Sequence, residues 1–465
     1  MAANRQRVEE AIVRVLDGTP AGEKARAMCP RPPALDPLPE TVHAPSRHGP
    51  RDVERRISEL ARQGVLVEEL ARHNDEIDTD SLRGNIEGFV GFARIPVGVV
   101  GPLRINGTAA HGDYYVPMAT TEGALVASYQ RGANIISHAG GATVLCSTEA
   151  VHRAPCFVFG NMRQAGLFLT WITPRFESLC EIVSDASRHC RLRDVRTSLM
   201  GREVYLVFEF TTGDAAGQNM VTIATEAICR RIADEAPIKP ERWYVESNLS
   251  GDKKATMFAF TYARGKKAVA EVTVPRRTVR RYLRAEPSEM LSYWQTSVVG
   301  GVQSGSIGVN GHAANALAAV FMACGQDVAC VAEAAVGVTR IDVVGDGDLY
   351  ASVSLPNLIV GTVGGGTSLP TQRECLEMVD CRGEGSARKF AEVVAATVLA
   401  GELSIMGAMV TGDFARAHAR YGRKIDRTGT AGNGGRGAQI EMDRSARGGG
   451  RNGSVSVGRV PGEGR

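Results

Sequence analysis

The chain has 465 residues, of which 43% are hydrophobic, 23% charged and 6% aromatic, with 54 basic and 51 acidic side chains. This composition is that of a soluble globular protein of two or three domains, and it excludes global disorder, collagen-like repeats and disulfide scaffolds. The net charge is only +3 and the two signs interleave along most of the chain, so no nucleic-acid partner is expected.

The ten cysteines form no C-x-x-C pair and no zinc-finger spacing with histidine. We therefore expect reduced, mostly buried thiols, no metal site and a cytoplasmic location. Glu9 and Glu10 lie where a secretory signal would be apolar. The most apolar stretches, 316–338 and 390–410, are predicted to be buried core helices and not membrane spans. Polar or charged residues interrupt them at Gln326, Asp327, Glu333, Glu392 and Glu402.

In chain order, the first predicted unit is a short N-terminal helix followed by a proline-rich linker, over residues 1–50. An amphipathic helix is predicted over 52–64, because Val53, Ile57 and Leu60 recur at helical spacing. A further helix is predicted over 121–139.

The interval 155–250 has a pattern of its own, with a strand, helical segments, two strands, a helix and a last strand. This β-α-β-β-α-β order is that of a ferredoxin-like unit. We therefore predict an α+β fold in which a small domain, 154–250, is inserted into a larger, helix-rich domain. The larger domain is expected to comprise residues 51–153 and 251–425.

Two segments after the insert have simple predictions. Residues 256–274 alternate with period two around Arg264 and Gly265, which predicts a β-hairpin. Residues 426–465 are rich in glycine and arginine and poor in large apolar side chains. That tail cannot bury enough surface to offset its ordering entropy, so we expect it to be disordered.

Four ionisable residues have unusual settings. Asp327 lies in an apolar helical run, where a carboxylate is costly unless a cation or hydrogen-bond donors meet it, although a structural ion pair explains it equally well. Glu122 is at a predicted helix start, where a capping acid is the simpler explanation. Lys253, in GDKKAT, is either a solvated surface lysine or a cation that faces a carbonyl or phosphate. His418, on a basic helix end, is by itself a surface histidine.

Two glycine-bearing segments suggest phosphate binding. Residues 213–220 join a strand to a helix start, where small residues let backbone N–H groups face a pyrophosphate. Residues 361–367 contain three consecutive glycines, which suit either a close approach to a ligand or a tight turn.

Seven segments together resemble the 3-hydroxy-3-methylglutaryl-coenzyme A (HMG-CoA) reductase family, in its class I, NADPH-using form. They follow the family's order over about residues 51–425: RIPVGVVGPL (94–103), PMATTEGALVAS (117–128), TGDAAGQNM (212–220), DKK (252–254), GSIGVNGHAAN (305–315), ACGQD (323–327) and GTVGGGT (361–367). The resemblance implies reduction of HMG-CoA to mevalonate and coenzyme A with two NADPH. It also implies a homodimer or homotetramer with the catalytic site at the subunit interface.

The resemblance further implies roles for individual residues. Lys253 would stabilise the oxyanion, and His418 would protonate the leaving thiolate. Glu122 would protonate the aldehyde oxygen, with its pKa raised near Asp327. The residues that match NADPH-binding positions are Ser187, Arg188, Asp214, Gly217, Gln218, Asn219, Gly364, Gly365 and Arg423. The residues that match substrate-binding positions are Ser128, Arg131, Arg153, Asp252, Lys254, His312 and Asn315.

Several positions depart from the family pattern. Thr296 replaces a substrate lysine, Glu246 replaces a serine of the substrate loop, and Val331 replaces an asparagine. Because these changes alter the acyl pocket, a paralogue that reduces a related 3-hydroxyacyl thioester is one alternative. A catalytically silent protein that binds coenzyme A or RNA is another.

Overall fold

The computed structural model describes residues 46–414 without a gap, together with residues 13, 20, 21, 23, 28, 30–34 and 36–38. Most of the predicted N-terminal helix and linker therefore lies outside the described residues. The same is true of the predicted tail, 426–465, and of His418 and Arg423.

The continuous range combines helices and strands as expected for an α+β fold. Its helices are α1 (Pro50–Arg62), α2 (Glu68–Ala71), α3 (Leu125–His138), α4 (Met162–Ile172), α5 (Phe176–Ala186), α6 (Gln218–Glu235), α7 (Phe258–Thr261), α8 (Arg276–Leu283), α9 (Pro287–Ser304), α10 (Ala313–Ala323), α11 (Val331–Ala334), α12 (Pro370–Met378) and α13 (Ala387–Thr411). Its strands are β1 (Val97–Gly107), β2 (His111–Ala119), β3 (Ala142–Arg153), β4 (Cys156–Val158), β5 (Arg191–Met200), β6 (Glu203–Thr211), β7 (Arg242–Tyr244), β8 (Gly265–Val274), β9 (Val338–Val344) and β10 (Asp348–Leu358).

These strands pair into one sheet with the central order β7-β4-β6-β3-β8-β10-β9. Outside this order, β1 pairs with β3, β2 pairs with β1, and β5 pairs with β6. Within residues 154–250 the strand order is β7-β4-β6-β5, with all neighbours antiparallel and α4, α5 and α6 as connections. This is the order of a ferredoxin-like unit. Strand β3 continues the sheet beyond it, because Val151–Arg153 pair with Phe208–Phe210 of β6.

The hydrophobic core consists of two main clusters. One lies inside residues 151–236 and includes Phe157, Phe168 and Phe208. The larger one packs α13 against α3, α10 and the strands β3, β8 and β10. Helix α13 is apolar and long enough to cross a membrane, but 83% of its most apolar window is buried inside the fold. It is therefore a core helix, as predicted for 390–410.

The hairpin predicted over 256–274 is wrong. Only Gly265–Val274 is a strand, and it pairs with β3 and β10, whereas residues 258–261 form the short helix α7. The period-two pattern concealed a helical spacing, since Phe258 and Tyr262 are four residues apart and their ring centroids lie 4.7 Å from each other. Arg196 of β5 stacks over the Tyr262 ring at 3.8 Å.

The long core helix predicted over 316–338 is also wrong in its second half. Helix α10 ends at Ala323, and a loop carries Gln326 and Asp327 before the single 3₁₀ turn Val328–Cys330. The Asp327 carboxylate caps that turn by accepting a hydrogen bond from the Ala329 N–H at 3.0 Å. Asp327 is therefore not a helix-interior residue but a loop residue that starts a new turn.

Candidate active site

Lys253 and Asp327 form an ion pair in which Lys253 Nζ lies 2.7 Å from Asp327 Oδ2. Their side chains are 42% and 36% exposed, so the pair is open to a ligand. The hydrogen bond that Lys253 donates to Asp327 raises the pKa of Lys253, which keeps its ammonium charged at neutral pH. A fixed cation of this kind can stabilise negative charge that develops on a substrate oxygen.

A buried network lies behind this ion pair. Arg264, which is 2% exposed, donates hydrogen bonds to Asp252 Oδ1 at 2.7 Å and to Glu333 Oε1 at 2.5 Å. Glu333 is fully buried, and its Oε1 also accepts the backbone N–H of Lys253 at 3.1 Å. We call Asp252, Lys253, Arg264, Asp327 and Glu333 the lysine cluster.

Arg153 adds a second guanidinium beside the lysine cluster. It donates to Asp252 Oδ2 at 3.0 Å, to Thr222 Oγ1 at 2.9 Å and to Gln218 Oε1 at 3.2 Å. Most of its N–H groups are therefore already paired. Lys254 is exposed, and its Nζ donates to the Asp252 carbonyl oxygen at 2.9 Å.

Glu246 brings a negative charge near Arg153, with 3.9 Å between its Oε2 and Arg153 NH1. Its carboxylate also accepts backbone N–H groups of Ser247, Asn248 and Ala154, at 3.0, 2.7 and 3.3 Å. Because these donors and Arg153 compensate its charge, Glu246 is bound within the protein and does not present a free anion to a substrate.

The first turn of α6 has the features of a phosphate site. Gly217 precedes the helix with φ +79°, and a Cβ there would lie 2.4 Å from Thr212 Cγ2, so this position requires glycine. No described side chain caps the start of the helix, which leaves first-turn N–H groups free to bind an anion. Asn219 is exposed at this end. The loop that contains Val363 lies alongside, because Val363 forms a β-bridge with Ala215.

The other predicted cofactor residues divide into two groups. Gly364 and Gly365 face open space, since a Cβ on either would have no neighbour within 4 Å. Ser187 and Arg188 follow α5 and precede β5, whose first residue, Arg191, pairs with Thr211 next to the α6 loop. These four residues thus lie beside or near the start of α6.

Two predicted cofactor residues have most of their contacts inside the protein. The Asp214 carboxylate accepts the backbone N–H groups of Gly385 and Ala387, at 2.8 and 3.0 Å, and so caps α13. The Gln218 side chain points to Arg153 and Arg264. In both cases the residue that matches a cofactor position of the family makes hydrogen bonds within the protein that hold its loop in place.

A separate cavity of about 730 Å³ contains most of the remaining predicted residues. Its lining includes Glu122, Ser128, Arg131, His312 and Asn315, and we call it the Glu122 cavity. Burial lowers the pKa of Arg131, whose guanidinium donates to Ser404 Oγ and to the Ser404 carbonyl oxygen, at 3.0 and 2.8 Å. Ser128 Oγ shares a hydrogen bond with the same hydroxyl at 2.9 Å.

His312 lines the Glu122 cavity, and one of its ring nitrogens has no partner among the described residues. Its ring stacks on Tyr129 with centroids 5.1 Å apart, and its Nε2 is buried without a hydrogen-bond partner among the described residues. The fully buried Glu402 accepts the backbone N–H groups of Gly311 and His312, at 2.6 and 2.8 Å. Glu402 therefore fixes the segment that carries His312 and Asn315.

The structure brings Lys253 and Asp327 together but leaves Glu122 with the cavity. His312 precedes α10 and Asp327 follows it, so the Glu122 cavity and the lysine cluster lie at opposite ends of this helix. Eleven helical residues at 1.5 Å each separate them by roughly 16 Å. Among the described residues, no cation forms an ion pair with Glu122.

Several residues that contribute to these sites could not be singled out from the sequence. Arg264 was expected at a hairpin turn, while Glu333 and Glu402 were noticed only as charges within apolar stretches. The signal that singled out Asp327, an acid in an apolar run, applied equally to both glutamates. Arg284 and Asp413, paired at 2.8 Å on the lining of the Glu122 cavity, gave no such signal.

Comparisons with known proteins identify the family of this chain. A family model described as hydroxymethylglutaryl-coenzyme A reductase matches residues 52–423. The 3-hydroxy-3-methylglutaryl-coenzyme A reductase of Pyrococcus horikoshii is 43% identical, over 79% of this chain and 91% of its own length. That of Methanocaldococcus jannaschii is 44% identical, over 75% and 88%.

A solved structure shows the same fold at lower identity. The class II enzyme of Streptococcus pneumoniae, bound to NADPH in open conformations, has a TM-score of 0.58 and 20% identity, over 77% of this chain and 97% of its own. The family model and the sequence relatives define an oxidoreductase. The chain belongs to the hydroxymethylglutaryl-coenzyme A reductase family.

Proposed function

We propose that the protein reduces HMG-CoA to mevalonate and coenzyme A, with two NADPH as the hydride source. The observation that carries this proposal is the ion pair between Lys253 and Asp327, which lies beside the start of α6 and its glycine-rich neighbour loop. Asp327 is tied to that loop through its neighbour, because the side-chain amide of Gln326 exchanges two hydrogen bonds with Gly361, at 2.9 and 2.8 Å.

The lysine cluster suits both reduction steps. When hydride adds to the thioester carbonyl, the oxygen becomes an oxyanion, and Lys253 can stabilise it. Collapse of that intermediate breaks the C–S bond and leaves a thiolate, which takes a proton, for which His418 is our candidate. The second hydride converts the aldehyde to an alkoxide, and Glu122 is the candidate that protonates its oxygen.

The start of α6 fits a dinucleotide. Its free first-turn N–H groups would face a pyrophosphate, Asn219 is exposed there, and Gly364 and Gly365 leave open space beside it. Arg188 is exposed at the same end of the sheet, where a guanidinium can pair with a 2′-phosphate. When bound, NADPH would supply both hydrides.

The Glu122 cavity fits the coenzyme A part of the substrate. Its lining has the guanidinium groups of Arg131 and Arg284, and these charges attract phosphates. His312 Nε2 and the side chain of Asn315 offer polar contacts within the cavity. We propose that Ser128 completes this set.

We infer that two copies of the chain complete one active site, because Glu122 and Lys253 lie at opposite ends of α10 within one copy. Exposed apolar side chains flank both halves. Val97 and Val99 of β1 pair with the strand end that precedes Glu122. Met257 and Val328 flank the lysine cluster. A twofold dimer would bury both sets and place Glu122 of one copy against Lys253 of the other.

We also propose the class I form, a cytoplasmic location and a small domain over 154–250. The class I proposal rests on the resemblance of the seven signature segments to the class I pattern. The charge of Glu246, one of the departures that favoured another acyl group, is compensated within the protein.

The test follows NADPH absorbance with HMG-CoA and with a 3-hydroxyacyl-CoA that lacks the second carboxylate. We expect turnover with HMG-CoA and little with the other ester. Mixed Lys253→Ala and Glu122→Ala chains, refolded together, should regain about a quarter of wild-type activity, because half of the random dimers contain one intact site. Turnover with neither ester would refute the activity, and no recovery in the mixture would refute the shared site.

A further inference from the structure

The backbone of Lys253 has an uncommon conformation. Its φ is +55°, in the left-handed region that side chains other than glycine, asparagine and aspartate rarely adopt. Such a conformation persists where surrounding contacts determine it, and it is common at functional positions. The contacts that hold Lys253 are therefore of interest in themselves.

One buried carboxylate holds the Lys253 backbone. Glu333 Oε1 accepts the Lys253 N–H at 3.1 Å and an Arg264 N–H at 2.5 Å. The other oxygen, Oε2, is buried and has no partner among the described residues. All described polar contacts of this carboxylate thus converge on the oxygen that faces Lys253.

Arg264 extends the same restraint to the neighbouring residue. Its second terminal nitrogen donates to Asp252 Oδ1 at 2.7 Å and to Gln218 Oε1 at 2.8 Å. Its own backbone is fixed as well, because its N–H donates to Asn357 Oδ1 at 2.8 Å. Arg264 and Glu333 therefore restrain the chain both at Lys253 and immediately before it.

We propose that Glu333 and Arg264 are positioning residues, which hold the left-handed backbone of Lys253 and so direct its ammonium toward Asp327. The inference rests on the catalytic role proposed for Lys253. Neither residue contacts the reacting atoms. If the backbone relaxes to negative φ, the side chain leaves its direction toward Asp327, and the oxyanion loses a preorganised cation.

Two substitutions at one position separate positioning from burial. Glu333→Gln and Glu333→Leu both remove the charge and leave Asp252 as the ionic partner of Arg264, but only glutamine keeps an oxygen for the Lys253 N–H. We expect kcat of Glu333→Leu to fall at least about tenfold below that of Glu333→Gln, with KM for NADPH unchanged. A purely structural role predicts equal kcat for the two variants once folded fractions are matched.

Glu392→Gln is the matched control. Glu392 is also fully buried in α13, where it accepts the N–H groups of Ala109 and Ala110, at 2.9 and 2.7 Å, and it does not contact the lysine cluster. Its variant should lose stability and keep kcat per folded molecule. If Glu333→Leu does not fold, Glu333→Asp replaces it, because the shorter side chain keeps the charge but withdraws the oxygen from Lys253.

The outcomes distinguish this inference from the proposed function. Equal kcat in the leucine (or aspartate) and glutamine variants overturns the positioning role, provided that Lys253→Ala is inactive. Full turnover in Lys253→Ala instead overturns the catalytic assignment on which the inference rests. A selective loss of kcat in Glu333→Leu, rescued by glutamine, supports both.

Discussion

At the scale of single residues, the role of a lysine in this protein depends on where its ammonium lies and which groups it contacts. The ammonium of Lys253 is half exposed and paired with Asp327, so it is held in place yet accessible. Lys266 is almost completely buried, and its Nζ donates to the Gly213 carbonyl oxygen at 3.3 Å. One lysine can act on a ligand, whereas the other supports the loop before α6.

Lys253→Ala should lower kcat by about a hundredfold to a thousandfold, because the oxyanion loses its fixed cation. Lys389→Ala is the control, since Lys389 also pairs with an aspartate, Asp380, but outside the site. NADPH consumption at saturating HMG-CoA measures the effect, and thermal unfolding checks that both variants are folded. Comparable kcat values for the two variants would remove Lys253 from the mechanism.

Lys266 should make stability depend on pH in the alkaline range. Burial lowers its pKa from the usual 10.5. Between the folded and unfolded pKa values the unfolded chain binds more protons, so stability contributed at this site rises with pH there. Relative to Lys266→Met, wild type should gain in Tm as pH rises toward 10.5. Parallel Tm curves for the two proteins would contradict this prediction.

At the scale of elements, the helices and strands that could be predicted from the sequence are those whose pattern of apolar residues matches their burial. The βαββαβ order was predicted because its apolar residues recur regularly, and helix α13 was predicted because it is a long apolar stretch, which is buried almost throughout. Helix α7 and the loop at Asp327 were missed, because the ring contact of Phe258 and Tyr262 and the cap at Ala329 are contacts that a periodic pattern does not encode. The separation of Glu122 from Lys253 depends on the path of α10, which no local motif specifies.

The crossing of α3 and α13 has a close contact that can be tested. A Cβ on Gly132 would lie 1.8 Å from the Ala400 carbonyl oxygen, so the two helix backbones approach closely there. Gly132→Ala should reduce the free energy of unfolding by about 1–3 kcal/mol through overpacking. The same crossing positions Arg131 against Ser404, so KM for HMG-CoA should rise as well.

Gly166→Ala is the matched control for this prediction. Gly166 lies inside α4, and a Cβ there would meet no atom within 4 Å. Alanine should therefore raise the free energy of unfolding by about 0.5–1 kcal/mol through helix propensity. Chemical denaturation of both variants measures the two signs, and a stabilised Gly132→Ala would show that the crossing is looser than described.

At the scale of the whole molecule, our proposal gives one chain two incomplete halves of a site. The lysine cluster has a cation and a place for a dinucleotide, while the Glu122 cavity has the acid and the charges for a phosphorylated ligand. A symmetric dimer joins unlike halves twice, because each copy offers both. Self-association and catalysis should therefore be lost together.

Val99→Asp tests this link between assembly and activity. Val99 is exposed on β1 and pairs with Pro117, close to the strand end that leads to Glu122. A carboxylate there must be desolvated at an apolar interface, which shifts the equilibrium toward single chains.

Light scattering should give twice the chain mass for wild type and for Leu167→Asp, a control at an exposed leucine of α4. Val99→Asp should have the mass of one chain and little turnover at low concentration, with activity returning as concentration rises; a monomeric variant with full turnover would show that each copy contains a complete site.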